Sequence, residues 1–453
     1  MATTASKRPI DGNGDQPSVP ASGDQADLIS ELPDEVLGTV VSLLPTREGA
    51  RTQELSRRWR PVWRAAPLNL DNRDGCGFSA KIVSSILSDH IGPARRISLT
   101  GFQPVPLPQD LACLQELELT YYYNPGRFVL PPSVFRLAPA LRVARFGCCR
   151  LPPNLTVDLP QLQQLTLHGV ALTEESFRAL LSGCPRLESL LLEMNVGVVC
   201  LRVSSPSLRS IGFIAPPSST NVVYELVVED APRLDRLVPL RMKTGPANIR
   251  VIRAPKLAIL GPLSYPILQP QFGTTVFERS IAVSLATIMP TLKVFALDYV
   301  GPNLDVVLDF LKCFPCLESL YIKLQEPDPR KRMKDVRKYA SLGDPTECLE
   351  LHLKKVALKH YCGRGLEAGI ARFFVLNAKV LERMEFGLDE DYGDIWMANQ
   401  KLRLQLEDRA SRCARFEFKR HSWSTLHGHK ERTHDLSTSD PFAASFLDGY
   451  VTL

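Results

Sequence analysis

Residues 183–192 read GCPRLESLLL and residues 313–322 read CFPCLESLYI, so one ten-residue unit occurs twice in the chain. In both copies apolar residues fill an L-x-x-L-x-L pattern, whose last part alternates as a β-strand does. Each copy follows a segment with helical spacing, Glu174 to Leu181 in the first case and Leu304 to Leu311 in the second. The two stretches therefore predict a unit of helix, short turn and strand.

The L-x-x-L-x-L pattern recurs through the middle of the chain. Its clearest copies are Leu114, Leu117, Leu119; Leu162, Leu165, Leu167; Leu187, Leu190, Leu192; Leu208, Ile211, Phe213; Leu292, Phe295, Leu297; and Leu317, Leu320, Ile322. Successive copies begin 25 residues apart (162 to 187) and 21 residues apart (187 to 208), which are periods of leucine-rich repeats. Weaker copies begin at Leu141, Leu234 and Leu257, and the gap of 35 residues before Leu292 predicts an insertion.

Stacking of these units predicts the fold class, an α/β solenoid with a parallel sheet and outer helices. One strand and one helix cannot bury their own apolar face, whereas stacked copies share a continuous core. The repeat leucines should point into that core. The residues between them, such as Thr166, His168, Leu191 and Glu193, should stand on the concave strand face, where solenoids bind large partners.

The segment before the repeats is predicted to be helical. Residues 1–27 are polar and rich in Gly, Ser and Pro, which is typical of a disordered leader. A first helix should begin near Pro33 and end before Pro45, and a second should run from Thr46 towards Arg60, since Pro61 disfavours helix just before it. In that case Leu55 and Trp59 lie one turn apart on one helix face, and Arg57 and Arg60 lie mostly on the opposite side.

The segment after the repeats is predicted to be a small α+β unit. Leu349, Leu351 and Leu353 alternate as in a strand, residues 414–419 (ARFEFK) predict another strand, and residues 368–386 between them are expected to be mostly helical. A basic run at residues 326–344 is interpreted as a solvated loop, with a nuclear-localisation patch as the alternative. The histidines after residue 420 are expected to lie in a solvent-exposed tail.

Composition narrows the classes of function. The 453 residues carry a net charge of +5, which is too diffuse to argue for nucleic acid, and no apolar run is long enough to span a membrane. We therefore expect an intracellular protein of the nucleus or cytoplasm, with its cysteines as free thiols. The strong short motifs of catalysis are absent, Cys313 and Cys316 lack a second pair that would complete a zinc site, and neither a metal nor a cofactor is predicted.

Two stretches resemble known modules. Residues 28–70 resemble a plant-type F-box in Leu32-Pro33-Asp34-Glu35-Val36-Leu37, Leu44-Pro45-Thr46, Arg51-Thr52 and Leu55-Ser56-Arg57-Arg58-Trp59-Arg60, followed by Trp63. The C-terminal unit, with LELHLKKVALKHYCG and ARFFVLNAKVLERMEF, resembles the FBD domain that follows leucine-rich repeats in many plant F-box proteins. The domains implied are a leader (1–27), an F-box (28–70), leucine-rich repeats (71–325), a basic loop (326–344), an FBD domain as a cap (345–420) and a C-terminal tail (421–453).

The resemblance implies a receptor without catalytic activity in an SCF ubiquitin ligase. The F-box would bind a SKP1-like adaptor and through it a cullin, while the repeats would bind an unknown protein substrate. The residues carried over as adaptor-binding are Leu32, Pro33, Leu37, Leu44, Pro45, Leu55 and Trp59. Glu54 departs from the pattern, because a small or apolar residue is expected before the Leu-Ser pair.

Two other interpretations stay open at this point. The chain could be a leucine-rich-repeat scaffold whose F-box is no longer coupled to the ligase, which Glu54 motivates. It could also bind nucleic acid, although phosphate contacts would require a broad basic face.

Overall fold

The computed structural model describes most of the chain between Leu28 and Ala443. The described residues are 28–29, 31–72, 79–101, 107, 111–121, 127–136, 138–216, 224–239, 247–264, 271–272, 275–278, 281–284, 288–300, 304–324, 346–390, 392–420 and 432–443. The predicted leader (1–27) and basic loop (326–344) lie outside them. None of the helices in the described part of the chain has the length and apolar character needed to cross a membrane.

Most helices of the described residues lie towards the two ends of the chain. The helices are α1 (Asp34–Ser42), α2 (Thr46–Arg51), α3 (Trp59–Ala65), α4 (Ala80–Asp89), α5 (Glu174–Ser182), α6 (Leu304–Cys313), α7 (Glu347–Leu351), α8 (Gly365–Asn377) and α9 (Asp394–Arg403), with single 3-10 turns at Thr52–Glu54, Pro132–Phe135 and Leu406–Asp408. Helices α5 and α6 lie among the repeats.

Strands occupy the rest of the regular structure. They are β1 (Leu68–Asp71), β2 (Ala94–Thr100), β3 (Glu116–Thr120), β4 (Val143–Gly147), β5 (Gln164–His168), β6 (Ser189–Glu193), β7 (Cys200–Ser204), β8 (Ser210–Ile214), β9 (Tyr224–Asp230), β10 (Arg236–Pro239), β11 (Ala247–Val251), β12 (Ile259–Ser264), β13 (Gln271–Phe272), β14 (Thr275–Glu278), β15 (Ile281–Ser284), β16 (Val294–Val300), β17 (Ser319–Leu324), β18 (Lys355–Lys359), β19 (Arg383–Leu388) and β20 (Arg415–Arg420).

One long parallel sheet forms the body of the molecule. Its 14 strands follow the order β1-β2-β3-β4-β5-β6-β8-β10-β12-β16-β17-β18-β19-β20. The register places repeat residues side by side, so that Leu165 pairs with Leu190 and Leu167 with Leu192. All the repeat leucines named above are buried in one continuous core. The predicted solenoid and the inward direction of the repeat leucines are confirmed.

The outer layer is more varied than the predicted unit. The helices expected before the two quoted stretches are confirmed as α5 and α6. Between them, however, strands take the place of helices, because β7, β9, β11 and β13 to β15 form a second sheet of six strands. Strands β13, β14 and β15 fall within the insertion predicted before Leu292.

The C-terminal unit continues the sheet of the repeats. Strand β18 pairs with β17, and β19 and β20 follow in the same parallel order. The strand predicted at residues 414–419 is confirmed as β20. The strand predicted at 349–353 is wrong, since residues 347–351 form helix α7 and the strand begins at Lys355. The segment 368–386 was predicted as mostly helical, but its last part belongs to β19.

The second N-terminal helix is shorter than predicted. Helix α2 ends at Arg51, a 3-10 turn follows, and a separate helix α3 begins at Trp59. Pro61 lies in the first turn of α3, where the missing backbone donor has no partner in the helix anyway. Leu55 and Trp59 therefore do not share a helix face, and that prediction is wrong.

Candidate functional site

The three N-terminal helices enclose a small apolar core. Leu37 and Val41 of α1 and Val62 of α3 are buried against one another, and Trp59 and Trp63 pack on the edge of this cluster. The spacing of Leu37 and Val41 places both on one face of α1. The helical unit therefore has a core separate from that of the sheet.

The N-terminal unit leaves a group of large apolar side chains open to solvent. We call it the N-terminal patch: Leu28, Ile29, Leu32, Val36, Val40, Leu43, Leu44 and Leu55. These eight are close to half of the 17 large hydrophobic side chains exposed in the described residues. The most open of them is Leu43, with 75% of its surface exposed. An apolar concentration of this kind is characteristic of a docking surface.

The helical unit is fixed to the first strand of the sheet. The Thr46 hydroxyl donates a hydrogen bond to the Asn69 carbonyl oxygen and accepts one from the Asp71 amide, both at 2.9 Å. The Trp63 ring meets the His90 ring edge-on, with centroids 5.5 Å apart. These contacts couple the direction of the N-terminal patch to that of the sheet.

The second candidate surface is the concave face of the large sheet. Along β5, β6, β8 and β10 the register aligns Thr166, Leu191, Gly212 and Val238 in one row on this face. Towards the C-terminal end the face becomes apolar and forms a cluster apart from the main core. Its buried members are Leu191, Ile214, Val238, Ile259, Val294, Ala296, Tyr321, Ala357 and Phe442.

Phe442 belongs to a stretch that lies across this face, residues 432–443, which we call the C-terminal segment. Thr433 and Phe442 are fully buried, and His434 retains 9% of its exposure. The His434 ring lies 2.8 Å from the Thr166 hydroxyl through Nε2 and 2.7 Å from the Ser189 hydroxyl through Nδ1. The C-terminal segment is therefore attached to the concave face of β5 and β6.

The middle of the C-terminal segment is held by one buried arginine. Arg236 is 2% exposed and donates 2.8 Å hydrogen bonds to the carbonyl oxygens of Asp435 and Thr438. Burial lowers the pKa of Arg236, but a guanidinium stays protonated over the physiological range. The positive charge is thus turned towards main-chain oxygens.

The far end of the C-terminal segment is anchored on β17. The Tyr321 hydroxyl donates a 2.6 Å hydrogen bond to Oδ2 of Asp440, and the Tyr321 and Phe442 rings lie 5.7 Å apart. Burial, together with the neighbouring Asp440, raises the pKa of Tyr321 far above its ordinary range, so the phenol keeps its proton. The segment therefore crosses the sheet from β5 to β17.

Comparison with known protein families matches two regions of the chain. The family model described as FBD-associated F-box protein At5g56370, LRR repeats, matches residues 109–322, and the FBD model matches residues 343–386. These two regions match the leucine-rich repeats and the FBD domain of FBD-associated F-box proteins. The region of repeats that the family model covers runs from the loop before β3 to β17, and the FBD region includes β18, α8 and most of β19.

Curated proteins similar to this chain come from Arabidopsis thaliana. An FBD-associated F-box protein is 33% identical over 218 residues, which are 44% of this chain and 56% of that protein. A putative F-box/FBD/LRR-repeat protein is 24% identical over 418 residues, covering 81% of this chain and 88% of the relative. A second protein of that description is 26% identical over 407 residues, covering 80% and 90%. The match thus spans about half of the first relative and most of the other two.

The residues that the F-box resemblance gave as adaptor-binding differ in how exposed their side chains are. Leu32, Pro33, Leu44, Pro45 and Leu55 are exposed, Trp59 is half-buried, and Leu37 is 1% exposed. Leu37 therefore holds the helices together and has no surface to offer a partner. The F-box resemblance did not give Val36, Val40 and Leu43 as adaptor-binding residues, and the structure exposes all three on or beside α1. Their apolar character at positions that the helix period turns outwards was the available signal.

Glu54 is exposed, at the end of the 3-10 turn. Its charge therefore points to solvent and not into the packing of the helices. The position of Glu54 therefore gives no support to the interpretation of the chain as a scaffold whose F-box is no longer coupled to the ligase.

The four predicted concave residues all lie on the concave face, but only part of that face is open. Thr166 and Leu191 are buried, and the C-terminal segment lies over this part of the sheet. On the neighbouring row, His168 Nδ1 lies 3.1 Å from the Glu193 carboxylate. The expectation of a solvent-exposed tail is wrong for His434, while His421, His427 and His429 lie outside the described residues.

The two cysteines of the C-x-x-C stretch lie at the end of α6 and in the turn before β17. Cys313 is buried, which raises the pKa of its thiol to about 11, and Cys316 is half-buried. Within the described residues, no group of three or more His, Cys, Asp or Glu side chains is placed to hold a metal ion.

Proposed function

We propose that this protein is the target-recognition subunit of an SCF ubiquitin ligase. In this proposal the N-terminal helices bind a SKP1-like adaptor, the adaptor links them to a cullin, and the repeat sheet binds the protein to be ubiquitinated. The chain supplies binding surfaces, and other subunits of the ligase carry out ubiquitin transfer.

The N-terminal patch is the observation that carries the adaptor-binding role. Specific interfaces bury about 1,200 to 2,000 Å² in total, with an apolar centre depleted of charge. Val36, Val40 and Leu43 supply such a centre on a unit whose own core is already filled by Leu37 and Val41. A partner that covers this apolar surface gains the free energy of its burial, at about 25 cal/mol per Å² before the costs of association.

The attachment of the helices to the sheet supports the division of labour. An adaptor bound at the N-terminal patch is held in a set direction relative to the concave face, through Thr46 and Trp63. A target bound to the sheet is then presented at a defined distance from the rest of the ligase. Positioning of this kind raises the rate of transfer without any chemistry in the receptor.

A pair of matched substitutions tests the proposal. Val40 and Ile82 are both 47% exposed on helices, but Val40 belongs to the N-terminal patch and Ile82 lies on α4. Val40→Glu should weaken binding to a purified SKP1-like adaptor by at least about tenfold, because it places a charge in the interface centre. Ile82→Glu should leave adaptor affinity unchanged.

The measurement is titration calorimetry with the full chain, together with circular dichroism of both variants. Equal adaptor affinity for the wild type and Val40→Glu, with both folded, would remove the N-terminal patch as the docking surface. Absence of adaptor binding by the wild type would refute the ligase role itself.

A further inference from the structure

The concave face beneath the C-terminal segment has the features of a peptide-binding groove. Its floor is the apolar cluster from Leu191 to Ala357 described above, and its polar side is a row formed by Ser189, Ser210 and Arg236 on three neighbouring strands. Without the C-terminal segment this cluster would be an open apolar patch, of the kind that marks an interaction site.

Several contacts that hold the C-terminal segment do not depend on its sequence. Arg236 donates to the carbonyl oxygens of Asp435 and Thr438, which every peptide possesses. The sequence of the segment matters at side chains that contact the groove, among them His434 at Ser189, Asp440 at Tyr321, and Phe442 in the apolar cluster.

The C-terminal segment leaves two buried polar atoms of the groove unsatisfied. Among the described residues, the hydroxyl of Ser210 and the Nε–H of Arg236 have no hydrogen-bond partner. Ser210 is fully buried, Arg236 is 2% exposed, and the two residues pair in register across β8 and β10. Buried polar groups almost always find partners, so the C-terminal segment is an incomplete ligand for this groove.

The charge of the groove indicates which group is lacking. The Arg236 guanidinium forms an ion pair with the Asp235 carboxylate at 4.0 Å, which is the limit for such a contact. A carboxylate placed between Ser210 and Arg236 would accept a hydrogen bond from each and would pair with the buried charge.

We propose that this groove binds an acidic peptide of a protein target, which competes with the C-terminal segment for the same site. The peptide places a carboxylate at Ser210 and Arg236, and it repeats the Asp-x-aromatic pattern of Asp440 and Phe442 at Tyr321. The identification of this ligand as a target of the ligase rests on the proposed function. The C-terminal segment then acts as an intramolecular competitor of the target peptide.

The test uses the full chain and a labelled 12-residue peptide, RTHDLSTSDPFA, which copies residues 432–443. A tethered ligand acts at an effective concentration in the millimolar range, so the wild type should bind the free peptide weakly. Phe442→Ala in the chain weakens the tethered competitor and leaves the groove intact. It should raise the affinity for the labelled peptide at least about tenfold.

Control variants separate competition from other effects. Ser439→Ala changes an exposed residue of the C-terminal segment and should bind the labelled peptide as the wild type does. A peptide carrying Phe442→Ala should lose binding to every chain variant. A peptide carrying His434→Glu places a carboxylate beside Ser189, the register neighbour of Ser210, and should bind several-fold more tightly than the parent peptide.

A measurement on the wild type guards against misfolding of a variant. Excess unlabelled peptide should speed amide hydrogen exchange of residues 432–443 by displacing them, while exchange in β3 stays constant. Asp440→Asn in the chain replaces Phe442→Ala if the latter unfolds, and it should also raise the peptide affinity.

Equal peptide affinity for the wild type and for the folded Phe442→Ala or Asp440→Asn chain would overturn the proposal, as would unchanged exchange at saturating peptide. In either case the C-terminal segment is a permanent part of the core. Weaker binding of the His434→Glu peptide would overturn the assignment of a carboxylate to the ligand. All these measurements are made without adaptor, so their failure leaves the role of the N-terminal patch standing, and failure of the Val40→Glu test leaves the groove standing.

Discussion

The Tyr321 hydroxyl on β17 donates a 2.6 Å hydrogen bond to Asp440, which lies 119 residues further along the chain. This bond closes the C-terminal segment over the concave face, because it fixes the end opposite to His434. The contact brings together the strand of the second quoted repeat and a stretch that the sequence pattern assigned to a polar tail.

Tyr321→Phe should release the end of the C-terminal segment without unfolding the sheet. The substitution removes one hydrogen bond to an acidic group, which contributes about 1.5 to 3 kcal/mol, and it retains the ring that packs on Phe442. Amide exchange of residues 438–443 should therefore accelerate, while the denaturation midpoint of the sheet changes little.

Tyr361→Phe is the matched control for this experiment. The Tyr361 hydroxyl also donates a buried hydrogen bond, to Gln400 at 2.9 Å, but in the FBD region. It should lower stability there and leave exchange of the C-terminal segment unchanged. If the two variants accelerate exchange of that segment equally, the bond between Tyr321 and Asp440 has no special part in holding it.

Leu37→Ala should lower the stability of the helical unit, whereas Leu43→Ala should lower only its affinity for the adaptor. Leu37 is 1% exposed in the helical core, so its truncation should cost about 2 to 5 kcal/mol of local stability. Leu43 is 75% exposed, so Leu43→Ala should leave stability within about 0.5 kcal/mol and reduce adaptor affinity. Thermal denaturation and adaptor titration of both variants give the comparison, and a destabilised Leu43→Ala chain with normal affinity would contradict it.

The structural features that were predicted most accurately from the sequence are those of the repeats. The alternation of Leu187, Leu190 and Leu192 predicts both the strand and its inward face, since the period of a strand leaves no other arrangement when the copies stack. The helical spacing from Glu174 to Leu181 predicts helix α5, because that signal lies entirely within the segment itself. Leu191 was correctly expected on the concave face, opposite to Leu190. Whether Leu191 is exposed there depends on the C-terminal segment, which lies more than two hundred residues further along the chain.

What the sequence could not predict depends on contacts distant along the chain. Residues 432–443 have no periodic pattern, and Phe442 is buried because an apolar cluster on the concave face receives it. The helix end predicted at Pro61 is wrong, because a proline fits the first turn of a new helix as well as it fits the end of a preceding one. Leu349 and Leu353 are both buried, as a strand alternation would also require, but Leu349 lies in helix α7 and Leu353 follows that helix.

Arg432→Gln should raise the pKa of Lys359. Burial and then the positive charges of Lys323 and Arg432 lower the pKa of Lys359 to about 8, against the opposing charges of Asp298 and Asp389. Loss of the Arg432 charge removes one of the lowering causes, so NMR titration of the lysine ε-methylene should report a pKa above that of the wild type. An unchanged value would mean that the C-terminal segment does not approach Lys359 in solution.

The same shift makes stability depend on pH in a defined direction. The pKa of Lys359 in the folded chain, about 8, is below its ordinary value of 10.5, so between these values the unfolded chain binds more protons. The contribution of Lys359 to the free energy of unfolding therefore rises as the pH increases from about 8 to 10.5. Lys359→Met should raise stability at neutral pH and remove that part of the rise, which chemical denaturation at a series of pH values measures.

Ser210→Ala and Ser189→Ala should change stability in opposite directions. Both serines are fully buried on neighbouring strands, but the Ser189 hydroxyl lies 2.7 Å from His434, whereas the Ser210 hydroxyl has no partner among the described residues. Removing an unsatisfied buried hydroxyl relieves a desolvation cost of about 1 to 3 kcal/mol, while removing a satisfied one loses a hydrogen bond of about 1 kcal/mol. Ser210→Ala should therefore raise the denaturation midpoint of the ligand-free chain and Ser189→Ala should lower it. Because the two substitutions delete the same atom from the same face, a lower midpoint for both would mean that the Ser210 hydroxyl is already satisfied in solution and that the groove lacks no partner there.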